Sequence, residues 1–166
     1  MRHGFVKVAA ATPDIRVADV TYNTEKICGL IDETVKEGAK VVAFPELCVT
    51  GYTCGDLFLQ NSLLEEARAS LEQIIAFTDN LDLIAFIGLP WEHLGKLYNV
   101  TAAVSRGRLL GLVPKTFIPN YSEFYEARHF SPGNEKPVME AWEGELVPMG
   151  TNLLFCCENM SELKVA

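Results

Sequence analysis

The chain has 166 residues, 49% of them apolar and 22% charged, a composition that builds one ordinary core and excludes a disordered chain. Its formal net charge is −8, with Lys and Arg scattered singly, so no basic patch is offered to phosphates and a nucleic-acid partner is excluded. No apolar run reaches the length of a membrane span, Met1-Arg2-His3-Gly4-Phe5 lacks the apolar core of a signal peptide, and five cysteines without framework spacing indicate reduced thiols in a cytoplasmic protein.

Residues 5–11 read as a β-strand, ended by Thr12-Pro13-Asp14. From Asn23, apolar Ile27, Leu30, Ile31 and Val35 recur at helical spacing, and Gly38 stands where a C-terminal cap belongs. Residues 41–44 form a short buried strand, and Gly51, Tyr52 and Gly55 mark an irregular loop. The next helix opens with Ser62 and Glu65 as a capping box and carries Leu64, Ala67, Leu71, Ile74 and Ile75 as its stripe. A third strand, 83–89, stops at Pro90, and 98–104 pairs with 109–113 through Ser105-Arg106-Gly107-Arg108. A polar, aromatic stretch covers 117–133, then 153–156 reads as a strand and 163–166 as the start of another. This order predicts an α/β (α+β) fold with helices layered on a sheet. The final residues lie inside a β-run, which predicts a fragment of a larger domain.

Two segments carry the candidate chemistry. Phe44-Pro45-Glu46-Leu47 and Val113-Pro114-Lys115-Thr116 each end an apolar strand with a proline and then a single charge. Proline cannot continue a ladder, so both charges fall at the carboxyl edge, where open α/β sheets bind ligands. An isolated glutamate after a strand is ordinarily a solvated loop residue, and an isolated lysine ordinarily snorkels. Apolar neighbours on both sides of Glu46 argue instead for a carboxylate lifted toward base duty. Gly111-Leu112-Val113-Pro114-Lys115-Thr116 mimics the end of a phosphate loop, but proline replaces the glycine before the lysine and no helix follows.

The cysteines supply no obvious partner. Cys48 and Cys54 lack a second pair or a nearby histidine, which argues against zinc, and Cys28 reads as a small core residue. Cys156-Cys157-Glu158 sets a thiol beside a carboxylate. The pair reads more simply as structural, with Cys157 kept as the alternative nucleophile. His3, His93 and His129 are dispersed and suggest no Ser/His/Asp arrangement.

The Glu46 and Lys115 segments occur together with Thr50-Gly51-Tyr52, Asp56-Leu57-Phe58, Pro119-Asn120-Tyr121-Ser122-Glu123-Phe124-Tyr125-Glu126, Arg128-His129-Phe130 and Pro148-Met149-Gly150-Thr151-Asn152-Leu153-Leu154-Phe155. In this combination the chain resembles the nitrilase superfamily of carbon–nitrogen hydrolases, in wording closest to the glutaminase domains of its glutamine-dependent NAD synthetase branch. The resemblance covers essentially all of residues 1–166, read as the N-terminal part of such a domain.

It implies an αββα sandwich, incomplete at the C-terminus, that hydrolyses the glutamine side-chain amide. Ammonia would pass to a C-terminal synthetase domain that amidates nicotinic acid adenine dinucleotide. No cofactor is implied for the glutaminase part, while ATP and magnesium belong to the synthetase domain, and the full-length protein is expected to be a homo-oligomer. Glu46 matches the general base, Lys115 the cation that stabilises the oxyanion, and Glu123 a second, orienting carboxylate. Tyr52 and Tyr121 match walls of the glutamine pocket, and the nucleophilic cysteine is expected beyond Ala166. Two other readings stay open: an amidase or carbamoylase of the same superfamily, and a non-catalytic interaction fragment.

Overall fold

The computed structural model describes residues 4–166, so His3 lies outside the described residues. Short β-branched and alanine-rich segments give three parallel strands, β1 (Val8–Ala10), β2 (Val41–Ala43) and the first part of β3 (Ile84–His93). Helices α1 (Val20–Lys36) and α2 (Asn61–Phe77) make the two crossovers. From β3 the chain turns back antiparallel into β4 (Lys96–Ser105) and again into β5 (Arg108–Pro114). Beyond the aromatic stretch come β6 (Val138–Trp142) and β7 (Glu145–Met149), and β7 joins β5 in parallel. The sheet has seven strands in the order β1-β2-β3-β4-β5-β7-β6. A separate antiparallel pair, β8 (Phe155–Cys157) and β9 (Met160–Val165), ends the chain.

The register divides the main sheet into two unlike faces. Val42, Ala85, Ile87, Leu89, Ala102, Val104 and Leu112 point to one face and are fully buried, together with Ile27 and Ile31 of α1 and Leu71 and Ile74 of α2. The helices clasp each other there through the buried hydroxyls of Thr24 and Ser70, 2.6 Å apart. The other face carries Val8, Ala10, Val41, Ala43, Ile84 and Phe86, all partly or largely exposed. On it lies the β8–β9 hairpin, whose Phe155 meets Phe86 edge-on with ring centres 5.6 Å apart. The chain thus supplies one helix layer and one sheet layer of the expected nitrilase-type sandwich.

Several local expectations are corrected. Helix α1 starts at Val20, because Asp19 accepts a hydrogen bond from the Tyr22 amide at 3.2 Å and caps it. Asn23 lies inside that helix and is fully buried. The Ser62–Glu65 capping box does not form: Gln60 is the N-cap without a side-chain bond, and Leu63 rather than Leu64 faces the core. Strand β3 runs straight through Pro90 to His93. It can do so because β2 pairs with β3 only as far as Phe86, so one side of Pro90 has no ladder to lose. Strands β6 and β7 were not foreseen, and the pair after residue 153 begins two residues later than expected.

Candidate active site

Beyond Ala43 the chain leaves β2 and folds back over the exposed face of β3. Gly88 makes this possible, since a Cβ there would lie 2.4 Å from the Pro45 carbonyl oxygen, 2.5 Å from the Leu47 nitrogen and 2.7 Å from the Glu46 Cα. All three are backbone atoms, so no side-chain adjustment could relieve the clash. The crossing is pinned on both sides. The Val49 amide donates to the Gly88 carbonyl at 3.2 Å, and the Asn23 side-chain amide donates to the Val49 carbonyl at 3.0 Å. Leu47, completely buried, holds a left-handed φ of 53°, a conformation costing a bulky residue about 1 kcal/mol or more. Burial of Leu47 and Val49 therefore fixes a strained turn whose exposed product is Glu46.

The next two strands in the sheet, β4 and β5, bring the partners. Lys115 follows β5, and its ammonium donates to Glu46 Oε2 at 2.8 Å and to Glu126 Oε1 and Oε2 at 2.9 and 3.1 Å. Asn99 of β4, 3% exposed, donates its side-chain amide to the same Glu46 Oε2 at 2.8 Å. The Tyr52 hydroxyl donates to Glu126 Oε1 at 2.7 Å. One continuous chain of hydrogen bonds thus runs Asn99, Glu46, Lys115, Glu126, Tyr52. Burial pulls the Lys115 ammonium down, but the bonds to Glu46 and Glu126 outweigh it and hold the group above the ordinary lysine value. The Tyr52 phenol is raised, first by partial burial of the group and then by its bond to the Glu126 carboxylate.

The sequence expectations for the site divide. Glu46 and Lys115 meet, as their common place at the strand ends predicts. The surroundings of Glu46 differ from expectation: its side chain is 45% exposed and its contacts are an ammonium and an amide, not an apolar lining. Glu123 is exposed and makes no side-chain hydrogen bond with Lys115; the carboxylate that meets the ammonium beside Glu46 is Glu126, whose side chain is 5% exposed. Tyr52 belongs to the cluster, but Tyr121 is 67% exposed and packs edge-on against Phe124. Cys156 and Cys157 line a separate cleft of about 570 Å³ with Lys40, Val41, Ile84 and Arg106. That cleft lies at the beginning of β2 and β3, the opposite end of the sheet from Glu46, so the alternative of Cys157 as a partner of Glu46 is not supported by its placement. Cys48 is buried beneath the crossing, which pushes its thiol up to about 12 and leaves it a core residue.

Glu126 and Asn99 were missed in the sequence. Both left a trace there. Asn99 interrupts a largely apolar strand, and a buried amide in such a run demands a hydrogen-bond partner. Glu126 shares a segment with Glu123, and only the backbone path decides which one turns inward. That path is set by Phe130, 4% exposed and edge-on to Phe58 at 4.9 Å, and by the Phe130 amide, which donates to the Glu126 carbonyl at 2.8 Å.

A carboxylate and an ammonium thus meet at the sheet's carboxyl edge, with a second carboxylate behind the ammonium, and the pattern of the carbon–nitrogen hydrolase family matches residues 7–162. The chain belongs to that family. Among curated relatives it is 42% identical over 135 residues to the glutamine-dependent NAD(+) synthetase of Aquifex aeolicus, covering 81% of this chain and 24% of that protein. It is 34% identical over 159 residues to the glutamine-dependent NAD(+) synthetase of Mycobacterium bovis, covering 96% and 23%. Its fold superposes on the crystal structure of a glutamine-dependent NAD(+) synthetase from Cytophaga hutchinsonii with a TM-score of 0.87, at 27% identity, covering 93% of this chain and 26% of that one. An amidase from Nesterenkonia sp. shares the fold at a TM-score of 0.68 and 20% identity, covering 89% and 56%. The chain therefore spans about a quarter of the length of the curated relatives it matches.

Proposed function

We propose that this chain is the amide-hydrolysing part of a glutamine-dependent NAD synthetase. In this reading residues 1–166 are the first part of a glutaminase domain, and the nucleophilic cysteine follows Ala166. The observation that carries the proposal is the bridging ammonium of Lys115, 2.8 Å from Glu46 and 2.9 Å from Glu126 at the sheet edge. The names of the relatives, at up to 42% identity, support glutamine as the amide.

The chemistry follows from what each group can do. A free thiol titrates near 8.5 and needs a base at neutral pH. Glu46 takes the thiol proton, the thiolate attacks the amide carbon, and the carbonyl oxygen becomes an oxyanion. Lys115, already charged and held by two carboxylates, faces that oxygen without reorganisation, an effect worth several kcal/mol. Collapse expels ammonia with the proton carried by Glu46, and water then attacks the thioester with Glu46 again as base. Ammonia passing to a synthetase domain that uses ATP and magnesium to amidate nicotinic acid adenine dinucleotide completes the proposal.

The test is ammonia release from glutamine by a chain extended past Ala166. Turnover that falls by orders of magnitude in Glu46→Gln, and that exceeds turnover of short aliphatic amides and carbamoyl amino acids, is the expected result. Preference for one of those other amides would move the assignment to an amidase or carbamoylase. Absence of any amide hydrolysis would leave only an interaction role and overturn the proposal.

A further inference from the structure

Asn99 occupies a position that packing alone would give to an apolar residue. It sits between Tyr98 and Val100 in the middle of the sheet and is 3% exposed. Asparagine is a poor strand former, and burying its amide is costly unless both ends are used. Its main-chain carbonyl accepts from the Lys115 amide at 2.8 Å, and its side chain donates to Glu46 Oε2 at 2.8 Å. One residue of β4 therefore grips both the strand end that carries the ammonium and the carboxylate that crosses from β2.

The two donors on Glu46 converge on one atom. Asn99 and Lys115 both bond Oε2, and among the described residues no hydrogen bond reaches Oε1. A carboxylate offers about four lone-pair sites, so two donors on one oxygen leave the other fully available. Glu46 itself is on an exposed turn, where its side chain would otherwise sample several rotamers. We propose that Asn99 is a positioning residue: with Lys115 it saturates Oε2, locks the carboxylate plane, and leaves Oε1 as the proton-accepting atom. The role rests on the glutaminase reading for its chemistry, but the hold on Glu46 does not.

Two measurements separate these. In the 166-residue chain, labelled with ¹⁵N, the side-chain amide protons of Asn99 should resonate downfield and lose that shift in Glu46→Gln, while those of Asn152 stay in place. Unchanged Asn99 resonances would overturn the proposal, whatever the protein hydrolyses. In a chain extended past Ala166, Asn99→Ala and the near-isosteric Asn99→Leu should lower kcat about 10- to 100-fold with KM within about threefold. The acid limb of the pH–rate profile should also move to higher pH, because a donor to the charged carboxylate has gone. Loss of stability with kcat and pH profile intact would show Asn99 to be structural only and overturn the proposal. An extended wild-type chain without glutaminase activity would instead overturn the reading of function, and the amide resonances would still decide whether Asn99 holds Glu46.

Discussion

At the scale of single residues, the site is a lesson in which carboxylate faces the ammonium. Glu123 and Glu126 differ by three positions in one loop, yet Glu126 is buried against Lys115 and Tyr52 while Glu123 points to solvent. In a glutaminase-competent extended chain, Glu126→Gln should reduce kcat on the order of 10²-fold, since Lys115 would lose one of its two carboxylate partners. Glu123→Gln should stay within about threefold of wild type, because no bond to Lys115 is lost. Steady-state ammonia release by the two variants, side by side, decides the assignment. Glu46 and Lys115 were legible in the sequence because each follows a proline at the end of an apolar strand. Glu126 was not, because its inward turn depends on Phe130 packing onto Phe58, a contact between segments some 70 residues apart.

At the scale of elements, the site depends on two loops being tied together. Asp56, in the 3-10 turn Gly55–Leu59, receives Arg128 Nε at 2.9 Å and Nη2 at 3.1 Å and lies 3.2 Å from His129 Nε2. This joins the loop of Tyr52 to the loop of Glu126. The hydrogen bond with His129, then those from Arg128, hold the Asp56 carboxyl below its ordinary value. A depressed carboxylate contributes stability that is complete above its unfolded value, about 3.9, and that is lost as pH falls through the lower folded value. Asp56→Asn should therefore lower Tm by a few degrees at most at neutral pH, Asp56 being exposed, and the gap from wild type should close below about pH 4. Thermal melts across that range check it; a gap that persists at lower pH would show that the loops are tied by packing alone. The helices and the hairpin at Arg106–Gly107 were readable from periodicity and turn chemistry. Strands β6 and β7 were not, because an outer strand of alternating exposure with Pro148 in its partner carries little hydrophobic signal. The capping box at Ser62 failed for a different reason: the preceding 3-10 turn delivers Gln60, not Ser62, to the cap position.

At the scale of the whole molecule, the two faces of the sheet make unlike demands. The helix face is closed, but the other presents Val8 at 65% exposure beside Ala10 and Ala43, at the edge strand β1. Contiguous apolar surface beside an open edge favours association. The isolated chain should sediment as a mixture that shifts to larger species with concentration, and Val8→Lys should shift it back; a concentration-independent monomer would refute this. The two-residue turns at Leu94–Gly95 and Arg106–Gly107, each with both φ values positive, carry one further consequence. They make β3, β4 and β5 a meander in which every pairing is between neighbours in sequence, so loop closure costs little there. Asn99, Lys115 and the Gly88 cradle all belong to it, whereas Glu46 arrives from β2, about 40 residues earlier. Folding should then proceed with the meander formed in the transition state and the Glu46 crossing added afterwards, giving high φ-values for Ala102→Gly and low ones for Val49→Ala. Glu46 would be the last part of the site to reach its place, and the first to leave it when the protein begins to unfold.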